Sequence, residues 1–150
     1  TWWPQLFLGI AFNWGILLAW AEMQGGFAIA PLLLYLSAIC WTIGYDTIYA
    51  HQDREDDALI GVKSTALLFG EDTKKAMLVF YGGAVVLAGL AGAVAGGSLW
   101  FWVGLLFYAA HLGMQIKRLD IDDPELCLIL FRSNREAALI LFAALLFGGL

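Results

Sequence analysis

Long apolar runs separated by short polar stretches dominate the chain, and a membrane-spanning helix needs about 20 consecutive apolar residues. Five runs approach that length: about Trp2 to Ala21, Phe27 to about Tyr45, Ala76 to about Ala95, Leu99 to about Ile116, and about Ala137 to Leu150. The last is the shortest. None shows the strict alternation of a half-buried strand, so the pattern predicts an all-α, polytopic transmembrane helix bundle, a single membrane domain over residues 1–150. Asn13 interrupts the first run in mid-span, where a polar residue usually faces the bundle interior. Gly92-Ala-Val-Ala-Gly96 in the third run is a close-packing pattern for helices in lipid. Leu126 to Phe131 is too short to cross and predicts a short helix at the membrane edge, started by an Asp123 cap with Pro124 in its first turn. Ser133 to Glu136 has the form of a capping box for the fifth span.

Composition strengthens this reading. Apolar residues make up 61% of the 150, and charged residues 14% against about 25% in soluble domains. So small a chain lacks the interior to hide that much apolar surface. Net charge is −5, which leaves no basic footprint for nucleic acid. Cys40 and Cys127 provide neither a disulfide framework nor metal-ligand spacing.

The charges then order the loops. Arg54, Lys63, Lys74 and Lys75 lie between the second and third spans; Lys117, Arg118, Arg132 and Arg135 lie between the fourth and fifth. Two crossings separate these loops, so they share a side, and the opposite connections carry no Lys or Arg. Positive loops mark the cytoplasmic or matrix side. Twelve of the 13 acids fall there too, Glu22 being the exception.

The chemistry concentrates between Gly44 and Ala66. On one continuous helix, Asp53 and Asp57 each lie within about 20° of Asp46, with Asp56 about 80° and Glu55 about 180° from it. Like charges on one face call for a compensating cation. Carboxylates suit Mg²⁺, which takes one or two of them and completes its shell with water and substrate phosphates. A solvated loop with capping acids is the plainer account of a charge run; the shared face, the membrane-edge position and the nearby Lys63 favour a Mg²⁺-bridged diphosphate site. Tyr45 and Tyr49 could hydrogen-bond the acids or line the pocket. His51 could pair with an acid, and His111 reads as a packing or hydrogen-bonding residue.

Tyr45-Asp46, Asp53-x-x-x-Asp57 and Gly61-Val-Lys63-Ser64-Thr65 together resemble the second aspartate-rich motif of UbiA-type intramembrane aromatic prenyltransferases. Within that family the wording is closest to the 4-hydroxybenzoate polyprenyltransferase branch, and Leu119 to Arg135 is similar to the same branch. The resemblance implies a nine-helix fold of which this chain would be the last five helices. The family's first motif, Asn-x-x-x-Asp-x-x-x-Asp, does not occur here, and Thr1-Trp2-Trp3-Pro4 carries no initiator Met or charged leader. The chain therefore reads as a fragment, inactive alone, whose partner is the N-terminal half of the same parent. The parent would sit in a bacterial or mitochondrial inner membrane, its active site on the cytoplasmic or matrix side. There it would transfer a polyprenyl group from polyprenyl diphosphate to 4-hydroxybenzoate in ubiquinone synthesis. By the same resemblance Asp53 and Asp57 hold Mg²⁺ and Asp46 is a further ligand or an orienting group. Lys63, Tyr49 and Arg54 would contact substrate. The menaquinone, haem O and tocopherol or chlorophyll branches are alternatives. A divalent-cation transporter is the alternative from another class, although the spans hold no acid between their ends.

Overall fold

The computed structural model describes residues 1–149, which form helices and no strand among the described residues. In chain order these are α1 (Pro4–Phe12), α2 (Gly15–Gln24), α3 (Ile29–Ala50), α4 (Arg54–Ile60), α5 (Thr65–Phe69), a 3₁₀ turn (Gly70–Asp72), α6 (Thr73–Ala95), α7 (Leu99–Arg118), α8 (Pro124–Arg132) and α9 (Asn134–Gly148). Among the described residues four stretches are long and apolar enough to cross a membrane: Pro4–Gln24, Ile29–Ala50, Thr65–Ala95 and Leu99–Arg118. The expected fifth, α9, has 15 residues. At 1.5 Å per residue it rises about 22 Å, short of the ~30 Å hydrocarbon core.

The first span is bent at Asn13. Its Nδ2 donates to Gly9 O (2.8 Å) and to Thr42 Oγ1 on α3 (2.9 Å). The next amides switch to three-residue spacing, Ile16 N to Asn13 O and Leu17 N to Trp14 O. A side-chain amide that competes for helical carbonyls bends the rod, and here it also fastens the bend to a neighbour.

α3 and α6 form the centre. Lipid offers no hydrophobic drive between helices, so close approach and polar contacts must hold them. The buried face of α6 is Met77, Tyr81, Ala84, Ala88 and Ala91, a helical repeat mostly of small residues. Ser37 Oγ donates to Ala84 O (2.6 Å), and Gly44 lies so close to Tyr81 that a Cβ there would overlap the ring. Gly92 of the expected close-packing pattern lies under Phe101 of α7, and Gly104 of α7 lies against Ala144 of α9, each with no room for a Cβ. Several outward side chains are bulky, among them Phe12, Phe27, Leu106, Phe107, Phe142 and Phe147. Bulky apolar side chains on the outside suit a lipid surround, while the small residues of α6 allow close approach around the buried Tyr81, Phe101 and Tyr108.

A buried polar network crosses this interior. Trp41 Nε1 donates to Asn134 Oδ1 (2.8 Å), and Asn134 Nδ2 donates to Gln115 Oε1 (3.3 Å). Tyr81 OH donates to the same Gln115 Oε1 (2.7 Å), and Gln115 Nε2 donates to Ser133 Oγ (3.0 Å). The indole N–H can only donate, so it sets the direction of every bond that follows. Ser133 therefore does not build the expected capping box. Its hydroxyl donates to Leu130 O (2.7 Å), its backbone is helical, and Glu136 pairs with Arg135 instead. With Ser133 itself in helical conformation, α8 passes almost directly into α9 and no cap is required. The cap expected at Asp123 is present: its carboxylate accepts from Leu126 N (3.0 Å), and Pro124 opens α8. His111 Nε2 bonds to Ser133 O (3.0 Å), a structural role as expected.

Candidate functional site

The two loops that carry all the basic residues meet at one end of the bundle. α3 reaches that end with Tyr45, Asp46 and Tyr49 in its last turns. Asp46 is half-buried there. Tyr49 stacks against Phe131 of α8 (centroids 4.6 Å apart), and Tyr45 lies 5.9 Å from the same ring. Their rings line the end of the bundle; among the described residues neither hydroxyl is hydrogen-bonded to an acid.

The helix does not continue through the acidic segment, and this corrects the single-face reading. α3 stops at Ala50, where the amides of His51 and Gln52 turn back to Ile48 O and Tyr49 O with three-residue spacing. His51 causes the turn: it is 3% exposed, and its ring points inward to Thr73 Oγ1 at the start of α6 (3.0 Å). The Thr73 hydroxyl already donates to Gly70 O (2.7 Å), so His51 Nε2 carries the proton and Nδ1 is left buried without a partner. Burial, helped by the Arg54 charge, holds this ring's pKa down to about 4, so it is neutral near pH 7.

A new helix then starts. Asp53 is at its N-cap position and Glu55, Asp56 and Asp57 fill its first turn, where negative charge meets the positive end of the helix dipole. Asp57 N donates to Asp53 O (2.8 Å), so these two residues stand one turn apart. Gly61, at φ 77°, ends α4, and only a residue without a Cβ adopts that backbone freely. Asp53 and Asp57 therefore belong to α4 and its N-cap, while Asp46 sits on α3, before the turn at residues 51–53. Among the described residues no group of three or more His, Cys, Asp or Glu side chains converges on one point.

Ion pairs among the described residues neutralise three of the 13 acids, so most carboxylates, Asp46, Asp53 and Asp57 included, have no protein cation. The ion pairs among the described residues are Arg54–Asp122 (2.9 Å), Lys75–Asp72 (2.7 Å) and Arg135–Glu136 (2.9 Å). Asp46, Asp53 and Asp57 take part in none of them. A pair of exposed or half-exposed carboxylates without a protein cation is a donor set that fits Mg²⁺, which needs only one or two from the protein. Lys63 is exposed beyond Gly61, its ammonium 5.3 Å from the centre of the Trp2 ring.

Several contacts here have no sequence signal. α5 is pinned by Thr65, whose hydroxyl meets Thr47 Oγ1 (2.6 Å) and whose amide donates to Gln5 Oε1 of α1 (3.2 Å). Asp122 is the partner of Arg54 across 68 residues of chain. A polar cleft of about 230 Å³ lies between α4 and the 119–124 loop, lined by His51, Arg54, Glu55, Asp56 and Asp122.

Comparison with known proteins adds two findings. The sequence profile of the UbiA prenyltransferase family matches residues 1–146. The chain is also similar over its whole length to proteins named 4-hydroxybenzoate polyprenyltransferase, mitochondrial: 49% identical to that of Bos taurus, 51% to that of Drosophila pseudoobscura pseudoobscura and 46% to that of Homo sapiens. It covers 41%, 38% and 41% of those relatives' own lengths. No solved structure matches it.

Proposed function

Because the chain belongs to the UbiA prenyltransferase family, we propose that it is part of an integral membrane aromatic prenyltransferase. The enzyme transfers a polyprenyl group from polyprenyl diphosphate to 4-hydroxybenzoate in ubiquinone biosynthesis. The observation that carries this reading is identity of 46–51% along the whole chain to relatives bearing that name. The end of the bundle with the basic loops faces the cytoplasm or matrix, in keeping with the eight-to-zero distribution of Lys and Arg.

Asp53 and Asp57 would hold a Mg²⁺ ion, and Asp46, on the neighbouring helix end, would be a further ligand or orient the complex. When bound, Mg²⁺ supplies positive charge to the diphosphate as the allylic C–O bond ionises. Lys63, exposed one residue past the end of α4's closing turn, adds a direct cationic contact to the leaving group. Tyr49 and Tyr45, both packed near Phe131, present aromatic faces that shield the allylic cation from water. The ring of 4-hydroxybenzoate attacks that cation ortho to its hydroxyl and then loses the ring proton. The prenyl tail lies between helices, open to lipid.

The test uses membranes that carry the protein at its full natural length, radiolabelled 4-hydroxybenzoate and a polyprenyl diphosphate. Asp53→Ala and Asp57→Ala are expected to abolish turnover while the protein stays folded in the membrane, and chelator to silence the unaltered protein. Losing one contact made in the transition state costs about 3–4 kcal/mol, a rate loss of several hundred-fold. Asp→Asn is expected to be severe as well, because the amide loses the charge that Mg²⁺ prefers. Glu55→Ala, about 200° round α4 from Asp57, serves as a mild control. Near-normal, chelator-resistant turnover in Asp53→Ala overturns the metal assignment.

A further inference from the structure

α4 is held in place in an unusual way. It has no buried residue, and its second turn leaves Leu59 85% and Ile60 74% exposed. Apolar packing therefore does little to fix its position. The chain on either side is firmly anchored, by His51 on Thr73 before it and by Ser64 and Thr65 in the bundle after it. Between those anchors α4 is a strap. Among the described residues, its one side-chain hydrogen bond or ion pair to the rest of the protein is Arg54 Nη2 to Asp122 Oδ1, 2.9 Å.

The far end of that bond is rigid. Leu119 is buried, Asp122 N and Asp123 N both bond back to Asp120, Cys127 Sγ donates to Asp120 O (3.3 Å), and Asp123 caps α8. Asp122 thus projects from a loop whose backbone is tied at nearly every residue. Arg54, for its part, directly follows Asp53 and lies one turn before Asp57.

We propose that Arg54 and Asp122 are a positioning pair: the rigid 119–123 loop holds the Arg54 guanidinium, and through it orients the Asp53 and Asp57 carboxylates of an otherwise loosely held helix. The role assigned to the two carboxylates rests on the function proposed above; the tether itself does not. A half-exposed pair adds little to global stability, so its effect lies in where α4 sits. Arg54 then spends its charge on Asp122 and makes no direct diphosphate contact.

The experiment compares Arg54→Asp, Asp122→Arg and the exchanged double variant in the full-natural-length protein reconstituted in lipid nanodiscs. Two readouts are taken: amide hydrogen exchange across residues 54–62, and the Mg²⁺ concentration needed for half-maximal prenyl transfer. Each single variant is expected to speed exchange in that segment. It is also expected to raise the Mg²⁺ requirement about 10-fold or more, the usual effect of losing a group that orients a ligand. The exchanged pair is expected to restore both. Unchanged exchange in Asp122→Arg overturns the proposal. So does an exchanged pair that recovers neither readout, since that result places Arg54 in direct contact with substrate. If the unaltered protein transfers no prenyl group, the functional reading fails, and the exchange data alone decide the tether.

Discussion

Gln115→Leu should destabilise the protein by about 2 kcal/mol, and the buried network shows why. The side chain is 0% exposed and makes three hydrogen bonds, to Tyr81, Asn134 and Ser133. Leucine fills nearly the same volume, so cavity formation contributes little. What is lost is polar pairing, measured inside membrane proteins at about 0.6 kcal/mol per bond on average and about 1.7 at most. Three bonds give about 2 kcal/mol, with an upper bound near 5. The loss falls hardest on the enclosed Tyr81 hydroxyl, because Asn134 Nδ2 keeps Leu130 O and Phe131 O as acceptors (3.2 Å each). Unfolding of the full-natural-length protein, titrated with SDS in mixed micelles, measures the difference. A cycle with Tyr81→Phe isolates one bond, and its coupling should be about 0.6 kcal/mol. Loss below about 0.5 kcal/mol, half the usual worth of a single bond, would refute the claim that this network holds α7 to the α8–α9 junction.

Other outcomes follow from steric and acid–base features. Gly104→Val should separate α7 from α9 and lower stability sharply, because a Cβ there falls 2.9 Å from Ala144 Cα; Gly113→Ala, on the open side of the same helix, should not. Thermal denaturation in detergent compares the two. His51 is held neutral when folded, with its pKa down at about 4, but takes up a proton near pH 6.5 when unfolded. Its contribution is therefore complete above pH 6.5 and falls away as pH drops towards 4. Stability of the unaltered protein should decline more steeply over that window than that of His51→Gln, and parallel curves would exclude the effect.

The long elements were legible in the sequence because lipid imposes length and charge asymmetry directly. α6 and α7 lie where their apolar runs and the flanking Lys and Arg residues put them. Asp123-Pro124 also read correctly, since a cap is decided within four residues. The misreadings share a different cause. The break after Ala50 depends on His51 turning inward to Thr73, the bend at Asn13 on Thr42, and the fate of Ser133 on Gln115. Each is a local choice settled by a residue on another helix, which no window of sequence contains. Within the candidate site, the carboxylates and Lys63 could be picked out by type and spacing. Asp122 could not, for nothing within its own segment points to a partner 68 positions earlier.

That distance along the chain has a consequence for biogenesis. Residues 54 and 122 come out of the ribosome with a complete hairpin, α6 and α7, between them. The bond between their side chains cannot form until that hairpin has been threaded into the bilayer and both its ends have returned to the same face. Trp41 must likewise wait for Asn134, 93 residues later. A partly inserted chain therefore has its acidic helix but lacks the clasp that holds it. The order of insertion thus keeps this corner of the protein unassembled until nearly all the chain described here has been made.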